Sequence, residues 1–270
     1  MCTPGKTFDF PLGWPSIASS REEAAHDCEA SRIGHQYLVV ELGAGGWLGF
    51  PARYVPRKWT QQAQSLPPVD VRQRIYPILK RTATDLTDTT FMDSRDGNRF
   101  YVWDEAFIRP GYELAANWVY GDNYQAWGML ETKSEIPGTP NELSVFATEG
   151  YRRAPGNRLR RFSVRIDGFA SAHAPLSGGE ILTKPLVFEG SKLILNFASS
   201  AAGSVRVEIQ DAGGEPISDF SLADCQEIYG DSIERTVSWN AGDDLKRLAG
   251  RHVLLRFELK DADLYSFRFR

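Results

Sequence analysis

From residue 143 onward, apolar and polar side chains alternate with a period of two in one short segment after another. The segments are ELSVFAT, RLRRFSVRIDGF, KLILNFAS, SVRVEIQ, RTVSWNAG, HVLLRFELKD and LYSFRFR. A period of two places successive side chains on opposite faces of an extended chain. No helix-period stretch separates the segments, so the crossover helices that parallel strands require are missing. The pattern therefore predicts antiparallel β structure, a sandwich or barrel, over about residues 175 to 270. Turn chemistry agrees. QDAGGEPI places Asp211, Gly213 and Gly214 between two strand-like runs, and WNAGDD does the same around Gly242. Helix is expected only at SREEAAHDCEASR, near residues 20 to 32, and as a turn at DDLKRLAG.

Composition sets the scale. A chain of 270 residues with 42% hydrophobic content can bury the core of one large all-β domain or of two smaller ones. Its 24 glycines, seven tryptophans and 12% aromatic share favour short strands joined by tight turns. A net charge of -4, with Lys and Arg read as scattered, supplies no basic field for phosphates, so nucleic acid is not an expected partner. No apolar run approaches the roughly 20 residues that cross a bilayer, and no export signal is visible at the N-terminus. The chain reads as soluble and without a membrane partner, its compartment unassigned. Cys2, Cys28 and Cys225 suit neither a disulfide framework nor a zinc cluster and read as free thiols. His35, His173 and His252 show no ligand-like spacing with them, so neither metal nor cofactor is expected.

The middle section has a different texture. In TDTTFMDSRDGNRFYVWDEAFIRPG a strand-like run meets the tight turn Ser94-Arg95-Asp96-Gly97, and a second run follows to Trp103. Asp can cap the amides of such a turn and Gly accepts positive φ. The turn recurs in β-propeller blades, although any hairpin can use it. Further on, NWVYGDNYQAWG gathers Trp118, Tyr120, Tyr124 and Trp127 around Asp122, Asn123 and Gln125.

GFPARYVPRKW, FMDSRDGNRFYVWDEAFIRPG, NWVYGDNYQAWGMLET, ELSVFATEGY, RLRRFSVRIDGF and SGGEILTKPLVFEGSKLILNF resemble the C-terminal half of a group of bacterial glycosyl hydrolase-like proteins. Those proteins carry a five-bladed β-propeller of the invertase and arabinanase type followed by a β-sandwich. The resemblance covers about residues 47 to 270. It implies an all-β chain with an unassigned segment at 1–46, a partial propeller of about two blades at 47–170 and a C-terminal β-sandwich at 171–270. It also implies a carbohydrate-active protein acting on oligo- or polysaccharides.

In that setting Asp122 and Glu149 are the candidate catalytic carboxylates, with Arg53, Asn123, Tyr124, Gln125 and Trp127 as substrate-binding candidates. Sugar C–H faces pack on aromatic rings, and hydroxyls need the donors and acceptors of Asn, Gln and Asp. The structural alternative is that Trp118, Tyr120 and Trp127 fill space between blades while Asp122 and Asn123 stabilise a turn after Gly121. Glu149 fits a general acid at a strand end, or a surface carboxylate paired with Arg152 or Arg153. Arg53 has the planar fork that binds a carboxylate or orients an acid. Glycoside hydrolysis needs two carboxyl groups across the scissile bond. The upstream blades expected to hold one of them have no counterpart in residues 1–46. The chain is therefore expected to be a truncated member that hydrolyses glycosides only at background rate. The alternative reading is a non-catalytic carbohydrate-binding or accessory fragment. Two blades without their neighbours also predict self-association through exposed faces.

Overall fold

The structure is a computed structural model that describes residues 6–9, 32–33, 39–42, 46–113, 117–126, 128–153 and 155–270. The helix expected at 20 to 32 lies outside them, as do Cys2, Cys28, His35 and Trp127. The described chain is mostly β-strand with few helices, an all-β protein. It divides into two compact units, Met1–Thr132 with Leu143–Ser163 and Lys133–Glu142 with Val164–Arg270.

The first unit contains β1 (Lys6–Asp9), β2 (Arg32–Ile33), β3 (Val39–Leu42), β4 (Gly46–Gly49), β5 (Ala52–Val55), β6 (Leu86–Ser94) and β7 (Arg99–Ile108) in one seven-stranded sheet. Its spine is the β6–β7 hairpin, and the turn read from the sequence closes it. Ser94 Oγ accepts from the amides of Asp96 and Gly97, Asp96 Oδ1 accepts from those of Asn98 and Arg99, and Gly97 takes φ +73°. Within the hairpin the register steps from Thr90 opposite Ala106 to Phe91 opposite Trp103. Asp104 and Glu105 are the extra residues of that bulge, which turns two adjacent side chains away from strict alternation.

Three helices precede β6: α1 (Gln61–Ser65), α2 (Val69–Leu79) and α3 (Arg81–Thr84). The sequence reading did not expect them. Val71 and Ile75, one helical turn apart, bury against Ala83. Arg72 is fully buried and donates from Nε to Leu66 O and from Nη1 to Ala83 O, joining the end of α1 to α3.

A second, three-stranded sheet runs in the order β10-β9-β8, with β8 at Leu130–Thr132, β9 at Glu142–Glu149 and β10 at Arg158–Arg165. Before β8 the chain already follows β9. Asn123 N donates to Thr148 O, Thr148 N to Tyr124 O, and Ala126 N to Phe146 O.

The second unit is a five-stranded antiparallel sheet of β11 (Ala172–Ala174), β12 (Gly179–Leu182), β13 (Leu193–Asp211), β14 (Asp231–Thr236) and β15 (Val253–Phe269). Alternate residues of β13 and β15, including Leu193, Leu195, Phe197, Val205, Leu255 and Phe257, bury one face completely. Phe188, Phe220, Ile228, Val237, Trp239, Leu245 and Leu248 cover it. Trp239 donates from Nε1 to Val207 O, and the buried Cys225 accepts from Val207 N, so one backbone position anchors both. The expected turn at Asp211 forms, with its carboxylate accepting from Gly213 N and Glu215 N, and a single 3-10 turn stands at Lys246–Leu248. Among the described residues no helix is long and apolar enough to cross a membrane, and no group of His, Cys, Asp and Glu could hold a metal ion.

Candidate functional site

Two polar features of the first unit meet at Thr87 of β6. One is a buried cluster built on the segment before β8. Asn123 takes φ +64°, a left-handed conformation that Asn tolerates better than most residues. Its side chain donates to Thr87 O and Asn117 O. Thr87 Oγ1 donates to Asp122 O and accepts from Gly121 N. Asn117, Asp122 and Asn123 are all fully buried.

Asp122 Oδ1 accepts from Tyr151 N at 2.8 Å, whereas Oδ2 meets no hydrogen-bonding partner among the described residues. Burial pushes this carboxyl up to about 6; the Tyr151 amide pulls it down, Glu149 adds to the rise, and Arg153 and Arg158 oppose it. Glu149, only 4% exposed at the end of β9, is fully engaged. Oε1 accepts from Asn117 Nδ2 and Arg160 Nη1, both at 3.1 Å. Oε2 accepts from Arg158 Nε at 3.1 Å and pairs with Arg158 Nη2 at 3.0 Å. Its partners are thus Arg158 and Arg160, two residues apart on one face of β10, rather than Arg152 or Arg153.

Tyr124 is half-buried and pairs edge-on with Tyr120, which also meets Tyr54 and Tyr151 edge-on. Burial, and after it the Tyr120 hydroxyl that hydrogen-bonds to it, raise the Tyr124 phenol above its ordinary range. Both polar atoms of the Gln125 side chain are buried and meet no hydrogen-bonding partner among the described residues. Trp127 lies outside the described residues.

The other feature is an open cavity of about 320 Å³, near the lower end of the range for small-ligand sites. Its floor follows from strand register. Arg53 on β5 stands opposite Asp88 on β6, and the two form a bidentate pair, Nε to Oδ1 at 2.9 Å and Nη2 to Oδ2 at 2.6 Å. Arg53 Nη1 also donates to Asp104 O at 2.6 Å, tying the floor to the bulge of β7. Val55, Leu86, Thr87 and Ala106 complete the floor, and the exposed Arg57, Asp104, Glu105 and Arg109 stand around it. Trp118 forms a wall, its ring fixed by Nε1 donating to Gly111 O at 2.9 Å.

Of the residues singled out in the sequence, the structure places Arg53 in the cavity and Asp122 and Asn123 in the buried cluster behind Thr87, with Glu149 bonded into that cluster through Asn117. The sequence does not single out Asp104, Glu105 or Arg109, and for Trp118 it offers a packing role. The adjacent acids of VWDEAF, in a strand-like run, were the available signal for a bulge. The arginines are not all scattered: five stand in the ten residues 152 to 161, with no acid among them.

No family model matches the chain, and no curated protein matches it. Among solved structures it is similar to a glycoside hydrolase family 43 arabinoxylan arabinofuranohydrolase from Bacillus subtilis, crystallised in complex with cellotetraose. The identity is 10% and the TM-score 0.24, and the match covers 86% of this chain and 40% of that one. A TM-score of that size assigns neither fold nor function.

Proposed function

We propose that this chain is a carbohydrate-binding protein of glycoside-hydrolase-like descent, which receives a saccharide in the open cavity and does not hydrolyse it. The observation that carries the reading is the Arg53–Asp88 fork held at the floor of that cavity beside the anchored ring of Trp118. An aromatic face takes the C–H side of a sugar, and surrounding charged groups exchange hydrogen bonds with its hydroxyls. Tight side-chain pairing on the floor means little is left to order when a ligand arrives.

The two candidate catalytic acids support binding over turnover. Asp122 is fully buried, and both oxygens of Glu149 are taken up by Asn117, Arg158 and Arg160. General acid catalysis needs a carboxyl within hydrogen-bond reach of the glycosidic oxygen. On this reading Asp122 and Glu149 brace the site, and Tyr124 and Gln125 belong to its support.

The finer architecture belongs to the same proposal. The sheets of residues 47–170 are propeller blades, for which the Ser94–Gly97 hairpin and the resemblance in sequence speak. Residues 171–270 are a β-sandwich, for which the antiparallel pairing and single apolar core speak.

Titration of the full chain with arabinan and xylan oligosaccharides, alongside a reducing-end assay, tests the reading. Binding without release of reducing ends, weakened at least about tenfold by Trp118→Ala, is expected. Turnover that disappears in Asp122→Asn, Glu149→Gln, Asp104→Asn or Glu105→Gln overturns it.

A further inference from the structure

We infer that the saccharide is anionic, and that its carboxylate or sulfate groups meet Arg158 and Arg160 where β10 reaches the cavity rim. The inference rests on the carbohydrate-binding reading and adds the class of saccharide. It starts from charge. Arg158 and Arg160 share the single carboxylate of Glu149, so this side-chain trio keeps a net positive charge. Asp122, the other acid that acts on Arg158, is buried with its carboxyl pushed up to about 6, so it offers little compensating charge in mildly acidic solution. Arg152 and Arg153 stand in the turn between β9 and β10, and Arg74 donates to Arg152 O. Arginines thus gather along the β9–β10 hairpin in a chain whose net charge is -4.

The face is also built. The Arg160 guanidinium lies 5.0 Å from the Phe162 ring centroid while bonded to Glu149, so its plane is fixed on two sides. The Arg158 and Arg160 side chains remain 66% and 47% exposed, which leaves N–H groups free to face solvent. A guanidinium presents its donors as a planar fork that matches carboxylate and sulfate oxygens, and its charge strengthens each bond.

Position joins this face to the cavity. Arg160 Nη1 comes within 3.7 Å of where a side chain on Gly111 would begin. Gly111 O is the acceptor that anchors Trp118, and Arg109 and Pro110, just before it, line the cavity. A sugar stacked on Trp118 therefore has Arg160 beside it, and a following residue of the same glycan runs onto β10. A neutral glycan leaves these charges unanswered, whereas a uronate- or sulfate-bearing one neutralises them.

The test uses the full chain, with polygalacturonate, neutral arabinan and a single-stranded DNA oligonucleotide as probes, at low and at raised ionic strength. Polygalacturonate is expected to bind at least about tenfold tighter than arabinan and to lose that advantage as salt screens the face. Arg160→Gln, with a melting curve like the parent's, is expected to bring polygalacturonate down to the arabinan value. Equal affinities for the two glycans in the parent protein overturn the inference and leave the carbohydrate-binding reading standing. A preference that survives in Arg160→Gln also overturns it, as does DNA that competes as well as polygalacturonate. Absence of binding to either glycan overturns both readings.

Discussion

At the scale of single residues, the buried turn before β8 is the most demanding place in the first unit. Gly121 takes φ +96°, and a Cβ there would lie 2.4 Å from Tyr151 Cδ1. Gly121→Ala combines a left-handed backbone with a ring clash and is expected to cost about 2 kcal/mol or more in urea unfolding. Asp122, next to it, makes stability depend on pH. Its folded pKa, about 6, lies above the ordinary value for Asp, so the folded state holds the proton more tightly than the unfolded chain. Its contribution to stability is therefore fully present only below the ordinary Asp pKa of about 4 and is lost as pH rises through 6. The change amounts to about 3 kcal/mol across that window. Asp85, also raised by burial to about 6, slopes the same way. Asp122→Asn is expected to raise the melting temperature near pH 7.5, to leave it almost unchanged near pH 3.5 and so to flatten only part of the profile. Equal melting shifts at both pH values would contradict a charge effect.

At the scale of elements, Arg72 carries the helical segment. Truncation to Ala removes the donors for Leu66 O and Ala83 O and leaves a cavity, at an expected cost of about 3 kcal/mol. Arg72→Met refills the space without burying a charge and should cost less; equal losses in chemical denaturation would assign the whole effect to the two hydrogen bonds. This segment also shows where the sequence was hard to read. Pro67, Pro68 and Pro77 punctuate it, and of its longest helix Val71 and Ile75 join the apolar cluster with Tyr76 packed against it, while a buried arginine takes a core place that hydrophobic periodicity would give to an apolar residue. The hairpin turns at Ser94 and Asp211 were legible because Asp and Gly act on their own backbone within four residues. The Asp104–Glu105 bulge was not, because a bulge is a property of register between two strands. Nor were the partners of Glu149. Its nearest arginines in sequence sit in the turn, whereas alternation on β10 brings round the two that lie nine and eleven residues away. Of the candidate site, Arg53 and its fork were foreseen as chemistry, but the cavity they serve depends on residues brought together across β5, β6 and β7.

At the scale of the whole molecule, several large apolar side chains face solvent. Leu130 on β8 and Leu159 on β10 are each 59% exposed, and both lie on the outer strands of the three-stranded sheet. Concentration-dependent self-association is expected on that account. Light scattering that reports one monomeric mass across a wide concentration range would contradict it. The pairing of β13 with β15 has a consequence for how the chain is made. Asp211 pairs with Val253 and Leu193 with Phe269, so partners in this ribbon are separated by 42 to 76 residues. Long-range pairing of this kind closes slowly. At about 5 to 20 residues per second, β13 waits on the order of 2 to 8 s after its completion for the first residues of β15 to be synthesised. Throughout that interval Leu193, Leu195, Phe197, Val205, Val207 and Ile209 form an apolar edge without its mate, and a nascent chain at that stage is a natural client for a holding chaperone.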